Sequence, residues 1–252
     1  MTIESKFAKL ILHTVLEQQH TLQNMRKTLL IAAAALAASI ISSEAQVYSQ
    51  NIVGYVNVPC PAGVFTPVGS PLLNADGVNS ASNVLSTIPD DSYLYIWNGS
   101  SYNIVISFGG QYYDQTGSFI VPTPDLPVGN GFYIQSSSTY TNTFVGTVLV
   151  TNTAVGSITT NSVNLPAAFA FVNPQLPIGG GLISSLQMGA IPDDSYVYIY
   201  NGTSYNIAIS FGGIWYDQTG SFTVPEPTVT VGQAFFVQSS AAWTWTETYT
   251  NN

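Results

Sequence analysis

The chain has 252 residues, 46% hydrophobic and only 7% charged, with a formal net charge of −9; an average soluble protein is about 25% charged. Every Lys, Arg and His falls in the first 27 positions (Lys6, Lys9, His13, His20, Arg26, Lys27), whereas acids continue to the end as Asp76, Asp90, Asp91, Asp114, Asp125, Asp193, Asp194, Asp217, Glu226 and Glu247. A body without cations cannot neutralise nucleic-acid phosphates or dock electrostatically on anionic lipid. It also excludes a His base, a Ser–His pair, a Schiff-base Lys and an Arg clamp.

In chain order, the first pattern is an export signal. Met25-Arg26-Lys27 precedes an apolar run over residues 28–41 and then Ser42-Ser43-Glu44-Ala45-Gln46. A charged start, a short apolar stretch and small residues before a cut describe a signal peptide over 25–45, with cleavage after Ala45. Residues 1–24 precede that signal, so either translation starts at Met25 or the charged region is long. The apolar run is shorter than the roughly 20 residues that a membrane-spanning helix needs. A secreted product is expected, placed outside the cell, on its surface or in the periplasm. Cys60 stands alone, which fits a half-buried strand-end thiol better than a disulfide or metal scaffold.

The mature chain repeats itself. Residues 88–137 align without a gap on 191–240, with 35 identities in 50 positions. The expectation is two tandem homologous β domains, 46–150 and 151–252. Strands are expected over 92–97, 101–108, 131–135, 139–150, 234–238 and 243–249, the last because Trp243, Trp245 and Tyr249 alternate with Thr244, Thr246 and Thr248. Asn98-Gly99 and Asn201-Gly202 are hairpin turn signals. A two-residue turn there sets Tyr95 opposite Tyr102 and Tyr93 opposite Ile104, with Leu94 and Ile96 on the other face. Residues 80–87 and 181–188 could each form a short helix. The fold class is all-β, sandwich-like or barrel-like in each half.

Two sets of side chains recur at equivalent positions. Asp90, Asp91 and Asp114 return as Asp193, Asp194 and Asp217. Clustered carboxylates would suit a hard cation such as Ca²⁺, although the spacing is not that of a calcium loop and turn capping explains the same pattern. Paired acids also raise a glycoside hydrolase as a distant reading. The aromatic set Tyr95, Trp97, Tyr102 and Tyr113 returns as Tyr198, Tyr200, Tyr205 and Tyr216, joined by Trp215. Such rings beside Asn and Gln could form saccharide platforms, or they could pack the hairpin against its own sheet. Asn98-Gly99-Ser100 and Asn201-Gly202-Thr203 also match the glycosylation pattern, which the turn already accounts for.

The segment Val53-Gly54-Tyr55-Val56-Asn57, the tyrosine-rich hairpins, and Gly129-Asn130-Gly131-Phe132-Tyr133-Ile134 with Gly232-Gln233-Ala234-Phe235-Phe236-Val237 resemble a group of secreted, duplicated β-repeat proteins of unknown function found in Verrucomicrobia and related bacteria. The resemblance implies export and β architecture and transfers no catalytic residue. The expected function is noncatalytic: a secreted or cell-surface protein with a structural or assembly role, partnered by itself or by cell-envelope components. A saccharide-binding module is the alternative. Without basic side chains to repel one another at low pH, the fold is expected to tolerate acid.

Overall fold

The computed structural model describes residues 53–149 and 156–250. The expected signal segment and the last position of the strand expected over 139–150 lie outside these residues. Among the described residues no helix is long and apolar enough to cross a membrane.

The first repeat contains β1 (Val53–Cys60), β2 (Phe65–Val68), α1 (Ala81–Val84), β3 (Ser92–Trp97), β4 (Tyr102–Phe108), β5 (Gln111–Asp114), β6 (Phe132–Gln135) and β7 (Tyr140–Thr147). β1 and β7 form an antiparallel ribbon, while the other five strands form an antiparallel sheet ordered β2-β6-β3-β4-β5. Strand alternation decides what each face does. Leu94, Val105, Phe132 and Ile134 point from the sheet toward Val56, Val58, Cys60 and Phe144 of the ribbon, and Leu72 and Leu85 close the core. Each fully buried side chain of this size stabilises by about 1.5–3 kcal/mol.

The second repeat builds the same sandwich. Its elements are β8 (Ile158–Leu165), β9 (Phe169–Val172), β10 (Gly180–Gly181), a 3-10 turn (Met188–Ala190), β11 (Ser195–Tyr200), β12 (Tyr205–Phe211), β13 (Ile214–Asp217), β14 (Thr228–Val229), β15 (Phe235–Gln238) and β16 (Trp243–Thr250). The ribbon is β16-β8 and the sheet is β13-β12-β11-β15-β9. Leu165, Val197, Phe235, Val237 and Trp245 fill the core between them.

Two expectations need correction. The hairpin pairs Trp97 with Tyr102 and Tyr95 with Ile104, so Tyr95 is not opposite Tyr102. Asn98 is the cause: its Oδ1 accepts from the N–H groups of Ser100 and Ser101 at 3.1 and 2.9 Å, which moves the corner to Gly99-Ser100, with Gly99 at φ +100°. The displacement is two residues, an even number, so every side chain keeps its expected face. The helices are the second correction. The helix expected over 80–87 shrinks to four residues. Residues 181–188 form turns instead, because Gln187 sits at φ +58° and the Glu226 carboxylate holds the N–H groups of Ile183 and Ser184. Segments this short have no helical stability of their own.

The described residues form one compact unit in which the repeats are halves. The Gly69 N–H donates to the Gly232 carbonyl at 3.1 Å, and the equivalent Asn173 N–H donates to the Gly129 carbonyl at 3.0 Å. Gly131 N–H to Phe171 O, 2.9 Å, matches Ala234 N–H to Pro67 O, 3.3 Å. The bridge Val68↔Gln233 likewise matches Asn130↔Val172. This reciprocity is that of an isologous dimer interface, here inside one chain, so the halves are related by a pseudo-two-fold axis.

Candidate functional site

The recurring aspartates hold turns. Asp90 Oδ1 accepts from the Gly109 N–H at 2.8 Å, and Asp193 Oδ1 from the Gly212 N–H at 2.7 Å. Their neighbours Asp91 and Asp194 occupy the left-handed region, φ +59° and +61°, where a short polar side chain is tolerated. Asp114 accepts from Thr116 Oγ1 and from the N–H groups of Ser118 and Phe119, and Asp217 does the same with Thr219, Ser221 and Phe222. Desolvation raises both carboxyls, but these bonds outweigh it and hold them below the usual carboxylate range. Among the described residues no three His, Cys, Asp or Glu side chains gather as a metal site would require.

The aromatic residues divide. Trp215 is no platform: it is 3% exposed and lies in the core of the second repeat, at the position Tyr112 fills in the first. The reason is strand phase, since Trp215 points to the ribbon while its neighbour Tyr216 points outward. Tyr113 and Tyr216 stand on β5 and β13, away from the pseudo-two-fold. Tyr95, Trp97 and Tyr102 meet Tyr198, Tyr200 and Tyr205 around a buried cluster of Tyr133, Phe171, Ala234 and Phe236. Phe171 and Phe236 stack at 4.2 Å with 7° between planes, and the Tyr133 and Tyr205 hydroxyls are 2.6 Å apart.

Two aromatic clefts result, one on each side of the axis. Phe65, Tyr95, Tyr102, Tyr133, Tyr200 and Tyr205 line the first, about 230 Å³. Trp97, Tyr102, Phe169, Tyr198, Tyr205, Ile207 and Phe236 line the second, about 380 Å³. The two linings are equivalent under the repeat: Phe65 with Phe169, Tyr95 with Tyr198, Tyr133 with Phe236 and Trp97 with Tyr200. Tyr102 and Tyr205 exchange roles and serve both clefts. Burial and the nearby Tyr205 push the Tyr102 phenol up to about 12, so it is neutral at ordinary pH. Repetition beside Asn and Gln marks the hairpin tyrosines in the sequence, whereas nothing there singles out Phe65, Tyr133, Phe169 or Phe236 as lining residues. Alternation assigns these residues a face and says nothing about which face another repeat will cover.

Glu247 was passed over although it lies in phase with Trp243, Trp245 and Tyr249. It is fully buried on β16, and its Oε2 accepts from the Gln175 N–H at 2.5 Å. Its Oε1 has no partner among the described residues, and neither do Gln175 Nε2 and Asn173 Oδ1. Desolvation, only partly offset by the backbone N–H groups of Gln175 and Leu176, pushes its carboxyl up to about 7. Compared with known proteins, the chain matches no family model, no curated protein and no solved structure.

Proposed function

We propose that the chain is a noncatalytic, exported β protein with an assembly role, in which copies join end to end. The observation that carries this reading is a pair of apolar sheet ends that share two equivalent phenylalanines and each add one isoleucine of their own. At the β4–β5 end Phe108, Phe119 and Ile120 are 51%, 72% and 62% exposed, and at the β12–β13 end Phe211, Ile214 and Phe222 are 52%, 50% and 72% exposed. β5 and β13 are the sheet edges farthest in strand order from β2 and β9, which meet the other half. Their backbones are already occupied: Val121 N–H donates to Tyr112 O and Val224 N–H to Trp215 O, both at 2.9 Å. Side chains rather than strand addition would therefore make the contact.

Two like patches per chain, each able to pair with its own kind, give an open string instead of a closed dimer. Noncatalysis is supported by the repeated carboxylates, whose hydrogen bonds are directed to the backbone of turns. Sedimentation velocity tests the reading: mass should rise with concentration, Phe222→Ser should stop growth at dimers, and Phe119→Ser with Phe222→Ser should give monomers. A monomer at every concentration would overturn it. Saccharide binding is the second reading: the partly exposed rings of the two clefts support it, and the hydroxyls already engaged there count against it.

A further inference from the structure

Beyond assembly, the paired clefts carry a ligand chemistry of their own. We propose that each cleft binds a small, free quaternary ammonium cation of the choline type. Three ring pairs of the first cleft meet at steep angles, Tyr95 and Tyr102 at 87°, Phe65 and Tyr133 at 89°, and Tyr133 and Tyr200 at 85°, with ring centroids 6.0–6.2 Å apart, while Phe65 leans on Tyr95 at 58°. The second cleft repeats this with Tyr198 and Tyr205 at 85° and Trp97 and Phe236 at 90°. Rings standing as a box surround a compact ligand with π density, whereas a flat sugar ring stacks best on a single exposed face.

Hydrogen bonding points the same way. The Tyr95 hydroxyl donates to Gln135 Oε1 and the Tyr198 hydroxyl to Gln238 Oε1, at 2.9 and 2.7 Å. The Tyr200 hydroxyl donates to the Gly202 carbonyl at 2.9 Å, the Trp97 indole N–H donates to the Phe169 carbonyl at 3.3 Å, and the Tyr133 and Tyr205 hydroxyls hold each other. A sugar hydroxyl or a primary ammonium would find much of the lining's polar capacity spent. A quaternary ammonium has no N–H to satisfy, so it forfeits no hydrogen bond there, and the ring faces offset the desolvation of its charge. Charge selects the sign: the described residues contain ten carboxylic acids and no Lys, Arg or His. The field over this part of the molecule therefore attracts cations, and among the described residues no side-chain ammonium or guanidinium competes for the rings.

Calorimetry and tryptophan fluorescence of the full chain, titrated with choline and with its uncharged tert-butyl isostere, test the proposal. Choline should bind at two sites per chain, perturb the emission of Trp97, and exceed the neutral isostere by about tenfold or more. Tyr102→Leu and Tyr205→Leu should each weaken both sites, whereas Tyr102→Phe, which keeps the ring, should bind within about threefold of the unaltered chain. Equal affinity for the isostere would overturn the proposal and leave a merely apolar cleft. So would silence at about 50 mM choline. Binding of a neutral oligosaccharide in place of choline, or of phosphatidylcholine vesicles without free choline, would reject it as well. The isostere comparison needs no variant and stands even if a substitution fails to fold.

Discussion

At one place in the two ribbons the repeats make opposite choices: β1 and β7 pair Val56 with Phe144, whereas β8 and β16 pair Asn161 with Glu247. Two residues back along the final strand the exchange reverses, with Asn142 opposite Val58 in the first repeat and Trp245 opposite Val163 in the second. The large ring has moved by one inward position, and a polar group occupies the position it left. Residues 88–137 and 191–240, which contribute most of the sheet and its aromatic face, keep 35 identities in 50 positions, while β7 and β16 keep three in eight. Sheet geometry is therefore reproduced twice, but each sandwich is filled by its own solution. Cores accept such redistribution when volume and pattern are kept.

The most damaging way to disturb this near-symmetry is at the axis itself. A Cβ on Gly131 would stand 2.6 Å from Ala234 Cβ and 3.0 Å from Phe171. Gly131→Ala should therefore cost about 1–3 kcal/mol in urea unfolding. Adding Ala234→Gly, which moves the methyl group to the other half, should return most of the loss. Additive losses in the double variant would show that the two residues do not share one space.

Glu247 comes next, because its counterpart Phe144 has no charge to bury. Its folded carboxyl is raised from 4.5 to about 7, so its contribution is fully present below about pH 4.5 and is lost as pH rises through about 7. The loss is up to roughly 3 kcal/mol. Tm should accordingly be higher at pH 5 than at pH 8. Glu247→Gln should flatten that limb and gain about 1–3 kcal/mol at pH 8 with little change at pH 4. An unchanged pH 8 stability in the variant would count against a buried, reluctant charge. This direction favours the acid tolerance expected from composition, whereas the depressed carboxyls of Asp114, Asp217 and Glu226 work against it.

The smallest effect probes where the repeats agree. Asp114 and Asp217 are held below the ordinary carboxylate range, so their contribution is present above that range and fades as pH falls through it. Asp114→Asn and Asp217→Asn should each lower Tm slightly and equally at pH 7, with both losses shrinking as pH falls below the ordinary carboxylate range. Unequal losses in thermal scans would break the equivalence of the two turns.

The duplication, the β class and the facing of each hairpin residue could all be read from the sequence, because period and alternation are local properties. Pairing register was displaced because the Asn98 side chain, not the Asn-Gly dipeptide alone, sets the corner. Trp215 stands among the candidate platform rings with packing as the alternative, and its phase on the strand decides for packing by sending it inward. The clefts were half legible: Tyr95, Tyr102, Tyr198 and Tyr205 were marked by repetition. Their meeting depends on contacts between residues far apart in sequence, Gly69 with Gly232 and Gly129 with Asn173, for which no short pattern exists. Glu247 was readable as an acid in an apolar phase, a conflict between local chemistry and global position.

The Gly131 and Ala234 pair also separates a fused duplication from a dimer of identical halves. A homodimer places the same residue on both sides of its axis, so it can have two glycines and a gap or two alanines and a collision. One chain containing both copies can hold one of each, a heterogeneity that identical subunits in a symmetric pair cannot encode. Covalent linkage thereby gives the interface a degree of freedom that no single gene for a half-molecule would possess.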